Sequence, residues 1–149
     1  MNASILFLAL AFLAGAMIPF QSAMNTALGK QLQSPYFSAL TVFIIAALGV
    51  ATYILLSRST VPTAAQFAAA PQWVYLRGLL GGTYILLIVI CAPKLGIGNV
   101  TVMVLLGQIL AAMIIDHFGL LGAVVHQINW QRLVGIFLMI AGVFLIKTF

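Results

Sequence analysis

A chain of 149 residues that is 64% hydrophobic and 5% charged, with a mean hydropathy of +1.25, has too few polar groups to cover a globular surface, which excludes a water-soluble domain. A membrane span needs about 20 predominantly apolar residues, so the length accommodates about five spans and leaves only short loops, a single membrane domain over residues 1–149. The net charge of +5 comes from Lys and Arg scattered singly along the chain, so it marks interfacial anchors and excludes a nucleic-acid patch.

The first span is expected over about residues 3–28. It has no basic segment ahead of it and stays apolar beyond the length of a signal-peptide core, so it reads as a retained helix. Pro19 interrupts it. The proline ring presses on the residue four earlier and removes its amide partner, and that residue is Gly15, which has no side chain to clash. A kink there leaves the Gly15 carbonyl free inside the membrane, where protein or water must satisfy it.

Ser34-Pro35 has the form of an N-cap followed by a first-turn proline, and the second span is expected over 35–57, closed by Arg58. Ser59 to Gln72 contains Pro62 and Pro71 and predicts a loop with room for a short surface helix. The third span, 73–92, is expected to stop at Pro93, ahead of a Lys94-Leu95-Gly96-Ile97-Gly98 turn. Cys91 in this span has no partner for a disulfide and reads as a small packing residue. Asn99 or Thr101 is the expected cap of the fourth span, 99–117, and Arg132 introduces the fifth, 132–147. Trp73, Tyr75 and Trp130 fall at span starts, where aromatic belts form. Gly78 with Gly82, and Gly107 with Ala111, form small faces on which helices could approach closely.

Five spans place the chain ends on opposite sides. The side of the N-terminus then carries Arg58, Arg77 and Arg132, and the other carries Lys30, Lys94 and Lys147. The Lys/Arg imbalance that orients membrane proteins is absent. A chain without that bias can insert both ways, and two opposed copies reproduce the inverted-repeat plan of many transporters.

Polar side chains inside hydrocarbon need partners, which makes Gln21, Asn25, Tyr84 and Gln108 the substrate-binding candidates, with interhelical hydrogen bonding as the alternative. Gln21 and Asn25 are four apart and share a helix face. Asp116 is the single acidic residue and sits at the end of span four, where the helix dipole disfavours a carboxylate. It is either a solvated loop carboxylate or one half of an ion pair, with Arg77 the first candidate partner and Arg132 the second, and His117 beside it is either an interfacial residue or part of a gate. One carboxylate, one cysteine and two histidines make no enzymatic constellation. Asp116, His117 and His126 follow no metal-ligand spacing, and nothing in the chain calls for a cofactor.

The run Gly15 to Lys30, followed by Ser34-Pro35, Pro71-Gln72-Trp73, Gly78, Gly81-Gly82-Thr83-Tyr84, Ala92-Pro93-Lys94-Leu95-Gly96, Gly107-Gln108 and Asp116-His117-Phe118-Gly119, resembles the YdcZ-like family of bacterial inner-membrane proteins in the drug/metabolite transporter superfamily. The resemblance runs through nearly the whole chain. It implies an all-α, five-span half-transporter that pairs with itself or a close paralogue as an antiparallel dimer in the lipid bilayer of the inner membrane. Related small multidrug exporters couple transport through a buried glutamate in their first helix. This chain has no glutamate, so that route to proton coupling is not expected here. The sequence reading is thus a subunit that moves a small solute by alternating access, with a passive channel or a non-transporting scaffold as the alternatives.

Overall fold

A computed structural model describes residues 3–148. Among them there is no β-strand, and five helices are long and apolar enough to cross a membrane: Ser4–Gln31, Pro35–Leu56, Gln72–Leu95, Ile97–Phe118 and Trp130–Lys147. The helical elements are α1 (Ala3–Gln31), α2 (Pro35–Leu56), the short α3 (Ala64–Ala69), α4 (Arg77–Leu95, entered through a 3-10 turn at Gln72–Leu76), α5 (Ile97–Phe118) and α6 (Trp130–Thr148). The chain divides into two compact units, one ending at Lys94 and the other beginning at Leu95.

In the first unit, α1 runs through Pro19 as one element and ends in a turn made by hydrogen bonds from Ser34 N to Gly29 O (3.1 Å) and from Gln33 N to Lys30 O (3.2 Å). This is the Schellman arrangement, and Gln33 takes the left-handed position (φ 50) that glycine usually fills. The reversal returns α2 onto α1, with Ser34 as its N-cap and Pro35 in its first turn, as expected. Arg58 (φ 49) ends α2 in the same left-handed manner. The loop that follows contains α3, started by a capping box in which Thr63 and Gln66 exchange side-chain-to-backbone hydrogen bonds.

Among the glycines of the long helices, Gly29 is the one with close neighbours from other helices. A Cβ placed there would lie 3.2 Å from Val89 Cγ1 and 3.6 Å from Ser38 Cβ, so α1, α2 and α4 converge on a residue without a side chain. Ser38, Ala39, Ile88, Val89 and Ala92 are buried there. The small faces expected at Gly78, Gly82 and Gly107 are not used in this way, since added Cβ atoms there would meet nothing within 4 Å, and neither would one at Gly15.

Two expectations about the middle of the chain are corrected. Pro93 does not stop the third span, because α4 continues through it to Leu95. A proline in the last helical turn sacrifices one amide hydrogen bond while the chain still turns, and the break comes at Gly96 (φ 83). Asn99 and Thr101 do not cap α5, which starts at Ile97. Their side chains instead donate back to Leu95 O (2.9 Å) and Ile97 O (2.8 Å).

In the second unit α5 packs on α6, with Val100, Met113 and Val143 buried. Gly119 (φ 59) ends α5 in the left-handed conformation, and the connection passes through a 3-10 turn at Leu120–Gly122. α6 starts two residues before the expected Arg132. Most large apolar side chains of the five long helices are exposed. In water that would be prohibitive, whereas in a bilayer it is the surface that meets lipid.

Candidate functional site

Residues 22, 25, 26 and 29 follow the i, i+3, i+4, i+7 spacing that lines one helix face. On α1 this is the inward face: Ser22, Asn25 and Thr26 are all buried. Ser38 from α2 is fully buried and donates its hydroxyl to the Asn25 carbonyl at 2.6 Å. Ser22 donates to Ile18 O at 2.8 Å. The Thr26 hydroxyl is sealed from solvent and makes no hydrogen bond.

The structure separates the two amides expected to act together on α1. Asn25 faces inward, whereas Gln21 is exposed, because positions four apart differ by about 40° around a helix and that is enough to straddle the edge of a packed face. Tyr84 on α4 is half-buried and its hydroxyl, also sealed, has no hydrogen-bond partner. The sequence reading missed Ser22, Thr26 and Ser38. Their signal was available in the small-residue spacing Ser22, Thr26, Gly29, which favours close helix approach as much as any glycine pair.

In the second unit Gln108 is exposed near the middle of α5. Asp116, at the end of the same helix, is paired with Arg132 of α6, Nη1 to Oδ2 3.7 Å, with each side chain about one-third exposed (36% and 34%). Arg77, the partner placed first from the sequence, belongs to the other unit and is exposed. Arg132 wins because α6 packs on α5 and its first turn brings the guanidinium to the end of α5. The same guanidinium reaches His126 O at 3.4 Å.

The connection between α5 and α6 is fastened to the end of α5 by two further hydrogen bonds. His126 N donates to the Asp116 carbonyl at 2.9 Å, and Ile128 N donates to His117 Nδ1 at 3.2 Å. His117 therefore holds its Nδ1 as an acceptor, and its ring meets Phe118 edge-on at 4.7 Å. Its observed work is to brace the connection. Among the described residues no three of His, Cys, Asp or Glu come together as a metal site.

A cavity of ≈ 390 Å³ opens between α5 and α6, walled by Ile109, Met113, Ile136 and Met139 and bounded by Asp116 and Arg132. It is an apolar trough with one ion pair at its end.

No curated protein and no solved structure gave a match to the chain. One protein family does: the profile described as "Putative inner membrane exporter, YdcZ" matches residues 6–145. That match begins within α1 and ends within α6, and it takes in the polar face of α1, the Asp116–Arg132 pair and the connection that holds it. The chain therefore belongs to the YdcZ family of inner-membrane exporters and is a multi-pass protein of the inner membrane.

Proposed function

We propose that the chain is half of a transporter: two copies, or this chain and a close paralogue, assemble in opposite orientations and export a small solute by alternating access. The observation that carries this reading is the exposure of Gln21 and Gln108. Each is surrounded by exposed apolar side chains, Phe20 and Met24 beside Gln21, Leu105 and Leu110 near Gln108. An amide left against hydrocarbon costs several kcal/mol, roughly 2–7. A lone subunit in lipid would bear that cost twice. A second subunit that covers these faces and encloses a polar path removes it.

The balance of three arginines on one side and three lysines on the other supports opposed insertion of the two copies. Gln21, Asn25, Tyr84 and Gln108 then contribute the solute contacts, with the Asp116–Arg132 pair as a gate at one mouth. The inventory has amide and hydroxyl groups and no unpaired carboxylate, so it favours a polar solute of low charge over a strongly cationic one.

Orientation is the direct test. With Cys91 replaced by Ala, single cysteines placed at either terminus and labelled from outside with a membrane-impermeant maleimide are expected to report both orientations, or one orientation complemented by a paralogue of the other. Labelling from one side only, with no opposed partner in the purified complex, overturns the dimer. In liposomes, solute flux that saturates and shows counterflow is expected. Flux without counterflow would make the protein a passive channel.

A further inference from the structure

In the first unit, the ends of α1 and α4 and the start of α2 surround a cavity of ≈ 270 Å³ whose lining includes Thr26, Lys30, Pro35, Val89 and Lys94. Lys30 lies in the last turn of α1 and Lys94 in the last turn of α4. A lysine at a helix C-terminus is accounted for by the dipole. That explanation covers each lysine separately and does not account for what they share. The single acidic residue of the chain, Asp116, belongs to the other unit and is paired with Arg132. Two exposed lysines therefore line one cavity, with no carboxylate in their unit to balance them.

Two further observations concern the same cavity. It is bounded by the first turn of α2, where Pro35 has no amide hydrogen and the Ser34 hydroxyl takes Phe37 N only at 3.5 Å. The first amides of a helix lack intrahelical acceptors, so this end carries partial positive charge. The second observation is Thr26. The hydroxyls of Ser22, Thr41, Thr52 and Thr101 each donate to a carbonyl three or four residues back. Thr26, which is only 8% exposed, does not, and its Oγ1 has no partner. Threonine in a helix divides between two χ1 rotamers. Thr26 lines the cavity, so a change of rotamer is the route by which its hydroxyl would reach an acceptor held there.

We propose that this cavity is a binding site for a phosphate-bearing anion, held by Lys30 and Lys94, the α2 N-terminus and the Thr26 hydroxyl. The two sources of that chemistry are the headgroup of an anionic phospholipid and a free phosphate in solution. The cavity lies at the ends of membrane-spanning helices and its remaining wall is apolar, from Val89, Ile90 and Pro93. A lipid glycerol and the start of its acyl chains fit that wall, and basic pockets between spans are a known way to hold anionic headgroups. The site adjoins the buried face of α1 that carries Asn25 and is testable without any transport assay.

The experiment uses the full chain purified in an uncharged maltoside and measures bound lipid by native mass spectrometry together with thermal stability. Phosphatidylglycerol, phosphatidylcholine and inorganic phosphate are the probes. Phosphatidylglycerol is expected to bind and stabilise well above phosphatidylcholine. The variant K30Q/K94Q should weaken that binding about tenfold or more, and Thr26→Val should weaken it while keeping the packing volume. K30R/K94R should retain it, and Lys147→Gln, which removes a lysine of the other unit, should leave it unchanged. If inorganic phosphate stabilises the protein and displaces phosphatidylglycerol, with the same dependence on Lys30 and Lys94, the site holds and its ligand is a free anion. If K30Q/K94Q, folded by circular dichroism and gel filtration, binds phosphatidylglycerol as the unmodified chain does, or if Lys147→Gln weakens binding equally, the proposal is overturned.

Discussion

Replacing Gly119 by alanine tests whether the connection between α5 and α6 is held by a conformation that only glycine supplies cheaply. Two costs are expected. The backbone there has φ 59 and ψ 32, and an L-residue with a Cβ in that region loses roughly 1–2 kcal/mol. The added Cβ would also stand 2.8 Å from Val125 Cγ2, inside the 3.4–4 Å of ordinary contact. Val125 is exposed but stiff at χ1, so relieving the overlap turns its side chain away from its preferred rotamer, at about 0.5–1.5 kcal/mol. Gly122 provides the control, with φ 82 and nothing within 4 Å of its Cβ position, so Gly122→Ala should show the conformational cost alone. The assay is reversible unfolding of the purified protein in mixed micelles titrated with dodecyl sulfate, followed by tryptophan fluorescence and far-UV circular dichroism. Gly119→Ala is expected to be less stable than Gly122→Ala by about 0.5–1.5 kcal/mol. Equal stabilities for the two variants would refute the claim that Val125 leaves no room for a Cβ at Gly119.

Four other outcomes are expected. A double-mutant cycle of Asp116→Asn and Arg132→Gln should give a coupling of about 0.5–1 kcal/mol, because both partners are one-third exposed and the pair is 3.7 Å apart. Ser38→Ala should lower stability by about 0.6–1.7 kcal/mol in the same micelle titration, since it removes the buried bond to the Asn25 carbonyl. Gln33→Gly should raise stability by roughly 0.5–1 kcal/mol by relieving the left-handed strain at the end of α1. Adding three lysines to the loop around α3 should force a single orientation and abolish transport by the chain alone, with activity restored by an oppositely biased copy; full activity of the biased chain by itself would refute the paired architecture.

The number, length and order of the membrane helices were legible in the sequence because apolar run length is a one-dimensional property, and hydrocarbon leaves a backbone little choice but helix. The start of α2 was legible for a similar reason, since Ser34 and Pro35 act through their immediate neighbours. The chemistry of single residues was legible too: a lone acidic residue at a helix end was a candidate for pairing with a cation. Which cation was a tertiary matter. Arg132 and Arg77 were both reasonable by position, and the packing of α6 on α5 decided for Arg132. Local rules also failed at Pro93, where a proline signals a stop but a helix near its end tolerates the loss of one hydrogen bond. The polar face of α1 shows the division most sharply. Sequence spacing put Gln21 and Asn25 on one face, and packing turned Asn25 inward and left Gln21 out. Helix periodicity specifies the angle between two side chains, while the direction of the face depends on where α2 and α4 lie. Gly29 meets Ser38 of α2 and Val89 of α4: the small-residue spacing on α1 marks a place where helices can approach, and only the fold decides which helices arrive there.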